Sequence, residues 1–139
     1  MAHNIKKIVA QEYLKCAKDP IYFMKKYCYI QHPTRGRILF NLYPFQEKVL
    51  EHFKDQQYLI TLKSRQLGIS TLSSAYSLWL MIFHKDKNVL ALATTQATAR
   101  NLVTKVIFMY DQLPKWLRLR SVEKNKLSLR LKNGSKIQA

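Results

Sequence analysis

The sequence predicts an α/β fold: a parallel sheet with flanking helices, preceded by an N-terminal helical segment. Three observations predict it. Residues 58–62 and 89–93 are short apolar runs rich in β-branched or small residues and without helical period, the pattern of strands buried on both faces. Each run leads into a longer segment whose apolar residues return near every 3.6 positions. Residues 57–113 therefore read strand, loop, helix, strand, helix, an order that implies parallel pairing through right-handed crossovers.

The elements follow in order, with an N-terminal segment over 1–42 and the α/β part over 43–139. Residues 4–17 carry Ile5, Ile8, Val9, Tyr13 and Cys16 at helical spacing, with Asn4 as the expected cap. Asp19-Pro20 signals a second start, a capping carboxylate followed by proline at the first helical position. His32-Pro33-Thr34-Arg35-Gly36 reads as a turn, residues 37–42 as a short extended piece, and Pro44 as the start of a helix running to about Phe53. The helix expected from about Ser70 to Phe83 has Leu72, Ala75, Tyr76, Trp79, Leu80 and Phe83 on its apolar face. A helix from about Gln96 is stopped by Pro114. Residues 126–131 alternate polar and apolar, Asn133-Gly134 is a hairpin turn, and Lys136-Ile137-Gln138 begins a return strand. The chain stops about three residues into that strand, so an incomplete domain is expected.

Charge narrows the partners. Twenty-four Lys and Arg face eight Asp and Glu, a formal net charge of +16, which attracts polyanions. Nucleic acid is the expected partner. A membrane surface is disfavoured, because no helix pairs a concentrated basic face with a Trp/Leu face, and no apolar run is long enough to span a bilayer. Cys16 and Cys28 have no His or Cys at metal-ligand spacing and read as free thiols. An intracellular protein is expected.

The sharpest local signal is Lys63-Ser64-Arg65-Gln66-Leu67-Gly68-Ile69-Ser70-Thr71. A phosphate-binding loop needs a strand to deliver it, a turn that aims backbone N–H groups, and a helix that begins there with its positive end facing the anion. Residues 58–80 offer all three in order, and the expected fold is thus of the P-loop NTPase type. Gly68 permits close phosphate approach, and Ser70 stands where the usual pattern places its Mg²⁺-binding hydroxyl. The pattern G-x-x-x-x-G-K-[ST] is nevertheless broken twice: Lys63 occupies the first glycine position and Ile69 the lysine position. Lys63 or Arg65 is then the expected cation, Arg65 being able to grip phosphate in bidentate fashion. The ordinary alternative is a strand-to-helix turn. Upstream, Gln46 offers an amide that can pair with adenine, and Phe45 an aromatic ring that can stack on it; alternatively Phe45 is simply core.

Together these residues resemble the large terminase subunit of tailed bacteriophages. The resemblance is carried by Tyr43-Pro44-Phe45-Gln46, by residues 63–71 with their Ser-Arg-Gln-Leu-Gly core, and by the 89–93 run with its Thr94-Thr95 exit. Residues 19–23, 36–40, 113–117 and 131–135 extend it over the whole chain. Members of that family are motors that package double-stranded viral DNA into a preformed capsid. They join an N-terminal ATPase to a C-terminal Mg²⁺-dependent nuclease and work as a ring on the portal protein with a small terminase subunit, in the host cytoplasm. The resemblance implies ATP and Mg²⁺ as cofactors, Gln46 reading adenine, residues 63–71 holding the triphosphate, Ser70 binding Mg²⁺, and Arg65 acting on the γ-phosphate.

One part is missing. A Walker B strand ends in Asp-Glu, but Glu12, Asp19, Glu47, Glu51, Asp55, Asp86, Asp111 and Glu123 include no adjacent pair and none ends an apolar strand. The resemblance puts that pair shortly after the terminal hairpin, so this chain alone is expected to be inactive. Two other readings remain: a helicase-type ATPase fragment, and a basic nucleic-acid-binding module. The second rests on Lys115, Arg118, Arg120, Lys124, Lys126, Arg130, Lys132 and Lys136 facing only Glu123 over residues 115–136.

Overall fold

The structure, a computed structural model, describes residues 2–139, with side chains described from Ile5 onward. Five helices and two small sheets make a mixed α/β fold. Helix α1 (Ala2–Lys18) already includes Asn4, so Asn4 is not its cap. Helix α2 (Pro20–Tyr27) begins as the sequence reads: Asp19 accepts a hydrogen bond from the Ile21 N–H at 2.9 Å, and Pro20 needs no partner. The 32–36 turn joins β1 (Tyr29–His32) to β2 (Gly36–Leu39) as an antiparallel hairpin. Helix α3 (Pro44–Asp55) follows.

Helix α4 (Ile69–Phe83) is the centre of the molecule. Its burial extends beyond the expected stripe to Leu78, Met81 and Ile82, because α2, α3 and α5 (Gln96–Gln112) all pack on it. The segment before residue 43 feeds the same core: Cys16, Phe23, Met24, Cys28, Phe40 and Leu42 cluster with Leu50, Leu72, Leu78 and Val106. The indole of Trp79 donates to the Cys16 carbonyl at 2.8 Å, tying α4 to α1. Both cysteines are free and buried, and burial pushes the Cys16 thiol up to about 11.

The sheet departs from expectation. Strands β3 (Asn88–Leu90), β4 (Ser121–Lys124), β5 (Ser128–Leu131) and β6 (Lys136–Gln138) form one mixed sheet in the order β3-β6-β5-β4. Only β3 and β6 are parallel; β4, β5 and β6 form an antiparallel meander, so a fully parallel sheet is not found. The expected 89–93 strand is cut to Asn88–Leu90, with Leu92 exposed. The expected buried strand at 58–62 is absent: Tyr58 is 84% and Ile60 97% exposed, and no strand pairs there. An apolar run can be a buried strand only where neighbours take up its N–H and C=O groups, and here β3 has β6 as its partner.

The Asn133-Gly134 turn forms, with Gly134 at φ 85°, and has a second task. The Asn133 amide donates to the carbonyls of Met81 (2.7 Å) and His84 (3.1 Å), and the Ser135 hydroxyl donates to His84 O (2.9 Å). These bonds satisfy carbonyls left open at the C-terminal end of α4 and bind it to the sheet.

Candidate functional site

The loop before α4 is fixed from below by Gln46. Its side chain, 1% exposed, accepts from the Tyr43 N–H at 3.0 Å and donates to the Leu67 carbonyl at 3.0 Å. One amide thus joins the start of α3 to the loop. Gly68 follows at φ 71°, and a Cβ placed there would lie 2.7 Å from Gln46 Nε2. Both the left-handed backbone and the close approach of the Gln46 amide favour glycine. Gln66 also has positive φ, 62°, so the loop is sharply folded on either side of Leu67.

Gly68 is the N-cap of α4 and brings no side-chain acceptor. The first N–H groups of a helix have no intrahelical partner, and here no capping side chain takes them. In contrast α5, capped by the Thr95 hydroxyl on Thr98 N at 3.2 Å, is closed. Side chains around the open turn line three cavities. One of about 300 Å³ contains Gln46, Gly68 and Thr71 with Arg35, Tyr43 and His32. A second, about 330 Å³, lies between the β1–β2 hairpin and α5 and is lined by His32, Thr71, Thr104 and Lys105. A third, about 600 Å³, has Ser70, Ala93, Asn101 and Lys105 on its walls. Thr71 belongs to the first two, which also share Ile30 and His32.

The residues singled out from sequence fall in two groups. Gln46, Gln66, Leu67, Gly68, Ser70 and Thr71 line these cavities. Lys63, Ser64 and Arg65 are exposed on the approach to the turn, and the Lys63 ammonium donates to the Ser64 carbonyl at 3.2 Å. Ile69 is half-buried and packs against the core. Phe45 lies outside the cavities, stacked on Tyr43 with ring centroids 5.7 Å apart and planes 7° from parallel. The aromatic rings that line the Gln46 cavity are Phe40 and Tyr43. Sequence patterns do not single out Arg35, His32 or Lys105 as lining residues: Arg35 and His32 sit in a turn, and Lys105 lies far along the chain with no local motif.

None of the eight carboxylates lines the three cavities. Five of them have partners elsewhere: Glu12 with Lys26, Asp19 on the α2 cap, Glu47 with Lys25, Asp111 with Lys124, and Glu123 with Ser128. Among the described residues no group of three or more His, Cys, Asp or Glu side chains is arranged to hold a metal, and no helix is long and apolar enough to cross a membrane. No protein-family model matches the sequence.

Proposed function

We propose that this chain is the nucleotide-holding part of a viral DNA-packaging ATPase of the terminase large-subunit type, with ATP as its ligand. The observation that carries the reading is the Gln46–Leu67–Gly68 lock beneath the uncapped start of α4. A turn fixed by a buried amide, followed by open helix N–H groups, is preorganised for the phosphates of a nucleotide. The adenine end then lies toward Tyr43, Arg35 and Gln46, which line the same cavity as Gly68 and Thr71. Gln46 already uses one lone pair and one N–H within the protein. Its part in base recognition is accordingly to hold the loop and to offer what capacity its amide retains.

The donor set suits Mg²⁺ only together with a triphosphate. Ser70 brings one hydroxyl, and the lack of nearby carboxylates leaves the remaining positions to phosphate oxygens and water, an arrangement this ion accepts. Bound there, Mg²⁺ would neutralise phosphate charge, with the Ser70 hydroxyl as the residue that would hold it.

Double-stranded DNA is the polymer partner in this reading. Lys115, Arg118, Arg120 and Lys124 converge around one concavity between the end of α5 and β4, and the net charge of +16 gives it an attractive field. That same cluster is what favours the second reading, a basic nucleic-acid-binding module without nucleotide chemistry. Assembly as a ring on a portal, with a small subunit, in the infected cell's cytoplasm, belongs to the first reading.

Titration calorimetry with ATP-Mg²⁺ separates the two. Saturable binding at or below millimolar concentration is expected for the wild type, with no saturation for Gly68→Ala. Duplex DNA binding without any ATP binding would replace the first reading by the second.

A further inference from the structure

The loop has no lysine at Ile69, and neither Lys63 nor Arg65 lines the cavities around the open turn. The Lys63 ammonium donates to the neighbouring Ser64 carbonyl. A third cation comes from another element. Lys105, on α5, places its ammonium 3.2 Å from the Thr71 hydroxyl, one residue beyond Ser70. It lines the Thr71 cavity on one side and the Ser70 cavity on the other. We propose that Lys105 is the phosphate-contacting cation of this site, reaching from α5 to the first turn of α4 in place of the lysine absent at Ile69. The inference rests on the nucleotide-binding reading above and names the residue that completes it.

Three features support the assignment. The position is anchored: α5 buries Ala99, Val103 and Val106 and packs against α4, which holds the base of the Lys105 side chain near Ser70 and Thr71. The charge is unmatched: the Lys105 ammonium's hydrogen bond is to a hydroxyl, and no carboxylate lines either cavity. The ammonium is also partly stripped of water, which pulls its pKa below the ordinary lysine value through desolvation. A phosphate oxygen in either cavity would give the ammonium a charged partner.

The test measures binding of ATP-Mg²⁺ and of inorganic tripolyphosphate to wild type, Lys105→Ala, Lys105→Arg and Lys63→Ala. Tripolyphosphate has no base, so it isolates the phosphate contact. Lys105→Ala is expected to weaken both ligands by about ten- to hundredfold. Lys105→Arg should restore most of the loss, and Lys63→Ala should cost less than Lys105→Ala for both ligands. If the alanine variant loses its thermal transition, Lys105→Met, which keeps the aliphatic stem, takes its place. ATP affinity within about twofold of wild type in the folded variant would overturn the assignment, as would a loss for ATP but none for tripolyphosphate. A wild type that binds ATP while Lys63→Ala abolishes binding would move the role to Lys63 and leave the nucleotide reading intact. A wild type that binds no ATP at millimolar concentration would remove the reading itself.

Discussion

Gly68 at φ 71° is the residue on which the site turns. Alanine there would adopt a left-handed backbone at a cost of about 1–2 kcal/mol, and its Cβ would push on the Gln46 amide. Gly68→Ala should therefore lower the thermal midpoint and weaken ATP by tenfold or more; unchanged affinity would show that the loop geometry is irrelevant to the ligand. Gln46 is a second case. Its place near a helix start singles it out in the sequence, but its partners are not legible there. An amide's value depends on what lies across from it, and Leu67 O is 21 residues away. The same holds for Lys105, 34 residues from Thr71: nothing local marks it. Glu12 gives a pH signature outside the site. Hydrogen bonds from Lys26, then from the Tyr22 and Tyr27 hydroxyls, hold its carboxyl down to about 2 from an ordinary 4.5. A depressed carboxyl contributes stability that is complete above 4.5 and is lost as pH falls toward 2. Glu12→Gln should cost on the order of 1 kcal/mol at neutral pH and flatten the acid limb between those values. Superimposable acid-unfolding curves would contradict this.

At the scale of elements, what was legible had local chemistry behind it. Asp19-Pro20 and Thr95 are caps whose side chains act on N–H groups two or three residues away, and both helices start where they say. The Asn133-Gly134 turn likewise needs only its own backbone. The misreading at 58–62 had the opposite cause, since a strand is defined by neighbours and an apolar run does not carry them. Strand β4 was missed because Ser121-Val122-Glu123-Lys124 has the composition of a polar loop, and only its pairing with β5 makes it a strand. Helix α4 was found but read as amphipathic, whereas three helices cover it. Leu78, fully buried on its unexpected side, tests this directly. Leu78→Ala should cost about 2–5 kcal/mol, and a loss below about 1 kcal/mol would mean that side is not packed.

At the scale of the molecule, two activities are expected to separate. On the proposed reading, ATP would bind the cleft around residues 66–71, 35–46 and 105. On the same reading, DNA would bind the basic face, where Lys124 is held by Asp111 and its neighbours Lys115, Arg118 and Arg120 surround the same concavity. Replacing Lys115, Arg118 and Arg120 together should weaken duplex DNA at least tenfold and lower the slope of log affinity against log salt by about 2–3, with ATP affinity unchanged. Hydrolysis is a separate matter. With no carboxylate beside the loop to orient water, the 139-residue chain should show no ATP turnover above background. Turnover abolished by Ser70→Ala would refute that. The central claim, that the cleft before α4 holds a nucleoside triphosphate, is tested most directly by following backbone amide resonances of the ¹⁵N-labelled chain during an ATP-Mg²⁺ titration. The largest shifts should fall on Gly68, Ile69, Ser70 and Thr71, with smaller ones at Arg35 and Tyr43. Shifts confined to residues 115–136, or none at millimolar ATP, would contradict it.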